Sequence, residues 1–167
     1  MAARWIPPGS RVLDVGCHQG ELFEYLGERI GPSVGIDPLL KWEERWGGHE
    51  LLKLSFEEMA PFPKDSFDAI TLLATIEHMH DKSAVARESY RLLRPNGRVV
   101  ITVPSLIVDR ILDVLVAIRL VDGMSLDEHH GFQPHKLTGI FLQEGFRLMA
   151  KRRFQLGLNN LFVFEKS

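Results

Sequence analysis

The segment from Arg11 to Asp37 constrains the fold of this 167-residue chain more strongly than any other part of its sequence. Its apolar run Val12–Val15 is short and rich in β-branched residues, which predicts a buried parallel strand. Gly16 and Gly20 then allow the backbone to turn sharply into a helix from about Glu21 to Arg29. A strand, a glycine-bounded turn and a helix in this order predict a unit whose helix N-terminus faces a ligand.

Asp37 directly follows the second predicted strand, Ser33–Ile36. A carboxylate about 20 residues after such a turn accepts hydrogen bonds from ribose hydroxyls. Asp37 is also a candidate N-cap for a helix over Leu39–Trp46, with Pro38 at its first helical position. The two roles are compatible, and the first predicts a ligand that contains ribose.

The charge and bulk of the turn indicate which nucleoside ligand it accepts. A dinucleotide-binding turn carries a central glycine that lets a pyrophosphate approach, whereas this chain has His18 there. Asp14, just before the turn, would repel phosphates and attract a cation. An alternative is that Asp14 only satisfies backbone donors of the turn. The pattern favours a positively charged ligand and disfavours a nucleotide-dependent oxidoreductase.

The segment Asp14–Gly20 resembles the first motif of class I S-adenosylmethionine-dependent methyltransferases, whose cofactor carries an ammonium and a sulfonium instead of phosphates. The resemblance continues in the family's order over roughly residues 10–105, and is strongest to the branch of quinone-biosynthesis and other small-molecule methyltransferases. Further segments carry it, namely Pro61–Asp68, Ala69–Leu73, Thr75–Met79, Leu92–Gly97 and Arg98–Pro104.

This resemblance implies an α/β fold with three layers, Rossmann-like, whose mostly parallel sheet has the strand order 3-2-1-4-5-7-6 and a C-terminal antiparallel hairpin. Strand-like and helix-like runs alternate up to Val103, which agrees with right-handed parallel crossovers. We expect one methyltransferase domain over residues 1–167, with 105–133 as an insertion or lid. The other expected elements are helices at Leu39–Trp46, Lys82–Leu93 and Pro134–Glu144, and strands at Leu51–Leu54, Phe146–Phe154 and Leu158–Glu165.

The resemblance also implies a site for S-adenosylmethionine as cofactor. Asp14 would attract the ammonium of the cofactor, the backbone of the turn would contact its methionine end, and Asp37 would bind its ribose. Leu39 would pack on the adenine, and one residue of 55–57 would contact the adenine amino group. The expected cofactor-binding residues are Asp14, Gly16, Cys17, His18, Gly20, Asp37, Pro38, Leu39, Ser55, Phe56, Glu57, Leu73 and Ala74.

Glu77 and His78 follow the fourth predicted core strand, at the end of the sheet where ligands bind in this architecture. They are the catalytic candidates, with His78 as a base for a hydroxyl acceptor and Glu77 orienting the imidazole or the substrate. An alternative is that the pair caps a helix beginning near Asp81. A metal held by Glu77, His78 and one of His130 or His135 is a further alternative, but Ala74 replaces a glutamate of the metal-binding relatives, so we predict no metal.

Two regions fall outside the common core. Residues Met1–Gly9 leave no room for the helices that close over the cofactor in many relatives, so we expect an open site or a fragment. Within the insertion, residues 106–121 carry an apolar face at helical spacing. That face is expected to pack on the sheet or on a second copy, or to cover an apolar substrate, and 106–121 is too short and too charged to span a bilayer.

Composition narrows the remaining choices. The net charge of −2 gives no general attraction to nucleic acid. The lone Cys17 excludes an internal disulfide and is expected to be a small apolar filler, and the missing signal-peptide pattern makes the cytoplasm the expected location. The predicted function is in-line methyl transfer from S-adenosylmethionine to a small, perhaps apolar, acceptor. The alternative is an inert cofactor-binding domain that serves as a regulatory or assembly partner.

Overall fold

The computed structural model describes residues 1–56, 60–105, 134 and 136–167. The strands in these ranges are β1 (Val12–Val15), β2 (Val34–Ile36), β3 (Glu44–Trp46), β4 (His49–Leu52), β5 (Phe67–Leu73), β6 (Leu93–Pro104), β7 (Phe146–Phe154) and β8 (Asn159–Lys166). The helices are α1 (Glu21–Leu26), α2 (Lys82–Leu92) and α3 (Lys136–Gln143), with 3-10 turns at Ala2–Trp5, Gly27–Arg29 and Ile76–His78.

The described strands form one sheet in the order β3-β4-β2-β1-β5-β6-β8-β7. Strands β4, β2, β1, β5 and β6 run parallel to one another, whereas β8 is antiparallel to β6 and to β7. If β3 is set aside, this is the predicted order 3-2-1-4-5-7-6 with its C-terminal antiparallel hairpin. The predicted Rossmann-like fold is therefore confirmed.

The prediction of a helix over Leu39–Trp46 is wrong. The segment forms a turn followed by strand β3, which pairs antiparallel with β4 so that Trp46 lies opposite His49. Gly47 and Gly48, with φ values of 56° and 85°, connect the two strands as a two-residue hairpin turn that residues with side chains rarely form. The same pairing starts the next strand at His49, two residues before the predicted Leu51.

Both faces of the sheet are covered, which explains why its central strands are mostly apolar. On one face, α2 and α3 pack through residues such as Val85 and Phe141. On the other face, α1 and the N-terminal 3-10 turn pack through residues such as Phe23 and Ala3. All four residues of β1 are buried between these layers, as the sequence predicts.

The predicted boundaries of the C-terminal elements agree closely with the structure, since α2, α3 and the β7–β8 hairpin begin and end within two residues of expectation. The predicted insertion has only Ser105 within the described residues, so the lid and the apolar face of residues 106–121 stay predictions. Of the helices in the described ranges, none has the length and hydropathy that crossing a bilayer requires.

Candidate functional site

The glycine turn after β1 packs closely against the end of β5. Gly16 has a φ of 77°, and a Cβ atom built on it would lie 2.6 Å from Cγ2 of Thr75. Any side chain at Gly16 would therefore strain the backbone and displace Thr75. Gly20 has a φ of 86° and precedes the first residue of α1. These contacts give the turn after β1 a single close-packed conformation.

The amide groups of this turn already donate inside the protein. Gly16 N–H and Cys17 N–H donate to the carbonyl of Ile36, at 2.8 Å and 3.2 Å, and Gly20 N–H donates to Cys17. His18 N–H donates to the Asp37 carboxylate. A backbone contact from this turn to a ligand would therefore use carbonyl oxygens, which suit an ammonium because it only donates hydrogen bonds.

Asp37 is oriented by two backbone donors. Oδ1 accepts from Leu39 N–H at 2.8 Å, and Oδ2 accepts from His18 N–H at 3.1 Å. Each oxygen retains acceptor capacity for a ribose hydroxyl, so the carboxylate suits the predicted role. The alternative of a helix N-cap is wrong, because no helix begins after Asp37 in this described segment.

A cleft of about 320 Å³ opens beside Asp37. Leu39, expected to pack on an adenine, is 86% exposed, and Trp42 is 68% exposed. Both are available to an aromatic ligand at this cleft. The lining residues are His18, Gln19, Asp37, Leu39, Leu40, Lys41, Trp42, Glu44 and Leu51.

Asp14 is almost fully buried, and its partner lies on the neighbouring strand. Thr71 Oγ1 donates to Asp14 Oδ1 at 2.6 Å. Burial raises the pKa of Asp14 to about 7, and repulsion from Glu21 and Asp37 adds to this effect, while the Thr71 hydrogen bond opposes it. Because Asp14 bonds a strand hydroxyl, the alternative that it satisfies donors of the turn is not supported. A cation beside Asp14 would stabilise its charged form.

Cys17 and His18 differ in burial, although they are adjacent in the turn. Cys17 is 2% exposed, and burial raises the pKa of its thiol to about 12, which excludes an activated nucleophile. This agrees with the expected role as an apolar filler. His18 is exposed, and its Nδ1 lies 2.7 Å from Oε1 of Glu21. Any contact from Cys17 to a cofactor would therefore come from its backbone.

The residues expected at the adenine differ in their exposure. Pro38 and Ser55 are exposed, whereas Phe56 packs its side chain into the core and is 3% exposed. Phe56 could therefore reach a ligand only through its backbone. Glu57 lies outside the described residues. Among the described candidates, Ser55 is the side chain best placed by exposure to meet an adenine amino group.

The end of β5 carries the remaining predicted site residues, which do not line the cleft beside Asp37. Ala74 adopts a φ of 54°, and its N–H donates to Thr102 O at 2.9 Å on the neighbouring strand, so the chain turns immediately after Leu73. Glu77 and His78 lie in the following 3-10 turn, with Glu77 half-buried and His78 exposed. The sheet topology thus brings them to the same edge as Gly16.

The alternative in which Glu77 and His78 cap α2 is wrong. Asp81 is the N-cap, and its Oδ1 accepts from the N–H groups of Ser83 and Ala84, both at 2.9 Å. The metal alternative is untested, because His130 and His135 lie outside the described residues. Within the described ranges, no group of three His, Cys, Asp or Glu side chains is arranged to hold a metal ion.

Two residues of the site escaped the sequence analysis. Thr71 is a polar residue inside an apolar strand, and it lies directly opposite Asp14 in the β1–β5 register. Thr75 packs against Gly16. Thr71 and Asp68 are the polar residues of β5, and only the register of β1 and β5 identifies Asp14 as the partner of Thr71.

The sheet order and the glycine turn after β1 define a Rossmann-like protein of the methyltransferase class. The chain belongs to the family described as methyltransferase domain, whose model matches residues 1–151. Its cofactor is S-adenosylmethionine. The residues present fit that cofactor, since Asp37 can hold a ribose and the buried Asp14 carboxylate can receive a cation.

Curated relatives and solved structures support the same assignment. The chain is 36% identical over 99 residues to a ubiquinone biosynthesis O-methyltransferase from Pseudomonas entomophila, covering 54% of this chain and 43% of the relative. It is 37% identical over 108 residues to nocamycin O-methyltransferase from Saccharothrix syringae, covering 58% and 39%. The chain thus matches less than half the length of these relatives. An S-adenosylmethionine-dependent methyltransferase from Mesorhizobium loti shares the fold, with a TM-score of 0.77 at 16% identity over 99% and 95% of the two chains.

Proposed function

We propose that this protein transfers a methyl group from S-adenosylmethionine to a hydroxyl oxygen of a small acceptor. The O-methyltransferases among its relatives support the choice of oxygen. The observation that carries the proposal is the pair of differently placed carboxylates: Asp37, held by two backbone donors beside the cleft, and Asp14, buried beside the Thr71 hydroxyl. These positions support contacts to a ribose and to a cation. A phenolic hydroxyl is the favoured acceptor because it loses its proton most easily during transfer.

The protein residues have binding, orienting and proton-accepting roles in this proposal. S-adenosylmethionine supplies a methyl group that its sulfonium already activates. Asp14 and Asp37 hold the two ends of the cofactor, while Leu39 and Trp42 present apolar surface at the cleft. Positioning at near-attack distance contributes most of the rate in such a displacement.

His78 accepts the proton of the acceptor hydroxyl, and Glu77 orients the imidazole or the acceptor. Both lie in the 3-10 turn immediately after β5, at the edge of the sheet that carries Gly16. A histidine suits this step because its ordinary pKa lies near neutral pH. The hydroxyl oxygen gains the methyl group as its proton moves to the imidazole, so the products are a methyl ether and S-adenosylhomocysteine.

The alternative of an inert cofactor-binding domain is not favoured. The matched relatives are named as O-methyltransferases, and the described residues retain Asp37, Glu77 and His78. An apolar acceptor, a homodimer through residues 106–121 and a cytoplasmic location stay predictions.

A screen of phenols, catechols and other small hydroxyl compounds for S-adenosylhomocysteine release tests this proposal. With the best acceptor, His78→Ala should lower kcat by about 100-fold, the range typical of a lost general base, while cofactor affinity changes little. His80→Ala is the matched control and should retain turnover. If the protein binds cofactor but methylates no hydroxyl acceptor, the proposal of an oxygen acceptor is wrong. If His78→Ala and His80→Ala turn over equally, the proposed role of His78 is wrong.

A further inference from the structure

The tip of the β7–β8 hairpin exposes a leucine in a strained conformation. Gln155 and Leu156 have φ values of 50° and 57°, a region that residues with side chains rarely adopt, and Gly157 follows at 87°. Leu156 is 102% exposed. A single exposed leucine is common, but a fully exposed leucine that also strains its backbone has no stabilising role in the described fold.

Hydrogen bonds hold this tip in place. Gly157 N–H donates to Phe154 O at 3.1 Å, and Leu158 N–H donates to Gln155 O at 3.0 Å. Ser105 N–H donates to Leu158 O at 2.8 Å, which ties the tip to the end of β6. Leu156 is therefore presented at the apex of an ordered turn.

Three consecutive basic residues precede the tip. Lys151, Arg152 and Arg153 are all exposed, and none of them takes part in an ion pair within the part of the chain that the structure describes. At the opposite end of the same strand, Arg147 is paired with Glu165 at 2.5 Å. Three positive charges, with no acidic partner among the described residues, thus lie beside the tip. Lys151 Nζ also lies 5.3 Å from the centroid of the Phe162 ring.

The alternation of a strand places these charges on both faces of the hairpin. Lys151 lies opposite Phe162 and Arg152 opposite Leu161, two residues whose side chains belong to the core clusters on opposite faces of the sheet. A flat partner lying against one face would meet only some of these cations. A surface that meets the hairpin end-on would meet all of them, because long basic side chains reach along the strand toward its tip.

The tip lies at the edge of the sheet that carries the candidate site. Asn159, the first residue of β8, is opposite Pro104 at the end of β6. Ala74 follows the parallel neighbour β5 at this same edge, because Leu73 is paired with Thr102. A surface that binds the tip end-on would therefore face the edge through which cofactor and acceptor enter.

We propose that the β7–β8 hairpin tip docks end-on onto a surface of anionic phospholipids. Leu156 enters the boundary between headgroups and acyl chains, while Lys151, Arg152 and Arg153 contact the headgroup phosphates. The combination of one protruding apolar side chain with adjacent exposed cations is that of peripheral membrane contacts, in which apolar insertion and charge attraction add. This inference goes beyond the proposed methyl transfer and does not depend on it.

Vesicle sedimentation with the whole chain tests the proposal. The protein should bind phosphatidylglycerol-containing vesicles at least tenfold more tightly than pure phosphatidylcholine vesicles, and 0.5 M salt should remove most of this binding because it screens the phosphates. Arg152→Ser with Arg153→Ser should weaken binding at least tenfold. Arg29→Ser, at an exposed arginine on another face, is the matched charge control and should change binding less than twofold.

Leu156→Gly separates docking from stability. Glycine relieves the strain of the left-handed backbone, so the variant should melt at a higher temperature yet bind anionic vesicles several-fold more weakly. Leu142→Ser, at a half-exposed leucine of α3, is the matched apolar control and should not weaken binding. If the protein does not bind anionic vesicles at low salt, or if Leu156→Gly binds as well as the parent, the lipid-docking proposal is wrong. If a soluble polyanion competes with the vesicles for the protein, and Leu156→Gly binds the vesicles as tightly as the parent, the hairpin tip is a general anion-binding surface instead.

Discussion

Asp14 lies in β1 and Asp37 directly follows β2, and the two carboxylates differ in burial and in hydrogen-bond donors. Burial raises the pKa of Asp14, and the hydrogen bond from the Thr71 hydroxyl opposes this rise, whereas Asp37 is half-buried and held by two backbone N–H groups. A buried carboxylate is costly unless a cation or hydrogen bonds stabilise its charge. The two residues therefore respond differently to substitution and to pH.

Asp37→Ala should weaken the binding of S-adenosylhomocysteine by about 30-fold, because a charged acceptor that receives ribose hydroxyls contributes about 2 kcal/mol. Asp37→Asn should fall between parent and alanine, since it keeps one acceptor oxygen but loses the charge. Asp65→Ala, which removes a carboxylate paired with Lys166 outside the cleft, is the matched control. Unchanged affinity by calorimetry in a variant with native circular dichroism would contradict the ribose assignment.

Cofactor affinity should rise with pH as Asp14 ionises near pH 7 and should then level off, because only the carboxylate attracts the cofactor ammonium. Thr71→Val removes the hydrogen bond that lowers the pKa of Asp14, so the midpoint of this rise should move to higher pH. Thr71→Ser keeps a hydroxyl and is the control. Titration calorimetry at several pH values from about 5.5 to about 8.5, on both sides of the expected pKa of Asp14, measures the midpoint. Identical profiles in parent and valine variant would rule out Thr71 as a residue that tunes Asp14.

At the scale of elements, short turn sequences outweighed helix propensity. Residues 39–46 contain good helix formers, yet Gly47 and Gly48 form a two-residue hairpin that pairs β3 with β4. Tertiary pairing often overrides local propensity because each residue's preference is worth less than 1 kcal/mol. Helix α2 shows the converse, since its amphipathic pattern predicted Lys82–Leu93 and the structure has Lys82–Leu92.

Asp81→Ala should reduce the free energy of unfolding by about 1 kcal/mol, the usual cost of losing an N-cap. The physical reason is that the N–H groups of Ser83 and Ala84 both lose the carboxylate that accepts from them. Urea denaturation measures the change. Glu144→Ala serves as the comparison, since that carboxylate pairs with Arg87 away from a helix start. An Asp81 variant as stable as the parent would show that solvent replaces the cap without cost.

For the whole molecule, the buried carboxylate links stability to pH. The pKa of Asp14 is about 7 in the folded chain and 3.8 in its reference state, so the unfolded chain releases this proton first as pH rises. Below pH 3.8 both the folded and the unfolded chain hold this proton. Between pH 3.8 and about 7 mainly the folded chain holds it, so the contribution of Asp14 to the free energy of unfolding falls over this range and then stays low. The loss amounts to at most about 4 kcal/mol.

Asp14→Asn should therefore flatten the fall in stability between pH 4 and pH 7, because asparagine does not ionise. Saturating S-adenosylhomocysteine should also reduce the fall in the parent, since its ammonium stabilises the ionised carboxylate. Urea unfolding at several pH values measures both effects. A parent and an Asp14→Asn variant with parallel stability profiles would show that Asp14 titrates normally in the folded chain.

The sequence alone predicted the buried strand Val12–Val15 and the glycine turn after it, because apolar runs and local spacing are visible along the chain. The order of the strands and the residues expected near the cofactor came from the resemblance of the sequence to a family. Tertiary structure alone decided that Thr71 meets Asp14, that Phe56 turns into the core and that Leu156 stands fully exposed at a hairpin tip. The physical reason is that pairing register, side-chain direction and burial depend on residues that are distant in sequence, as with the 57 positions that separate Asp14 from Thr71.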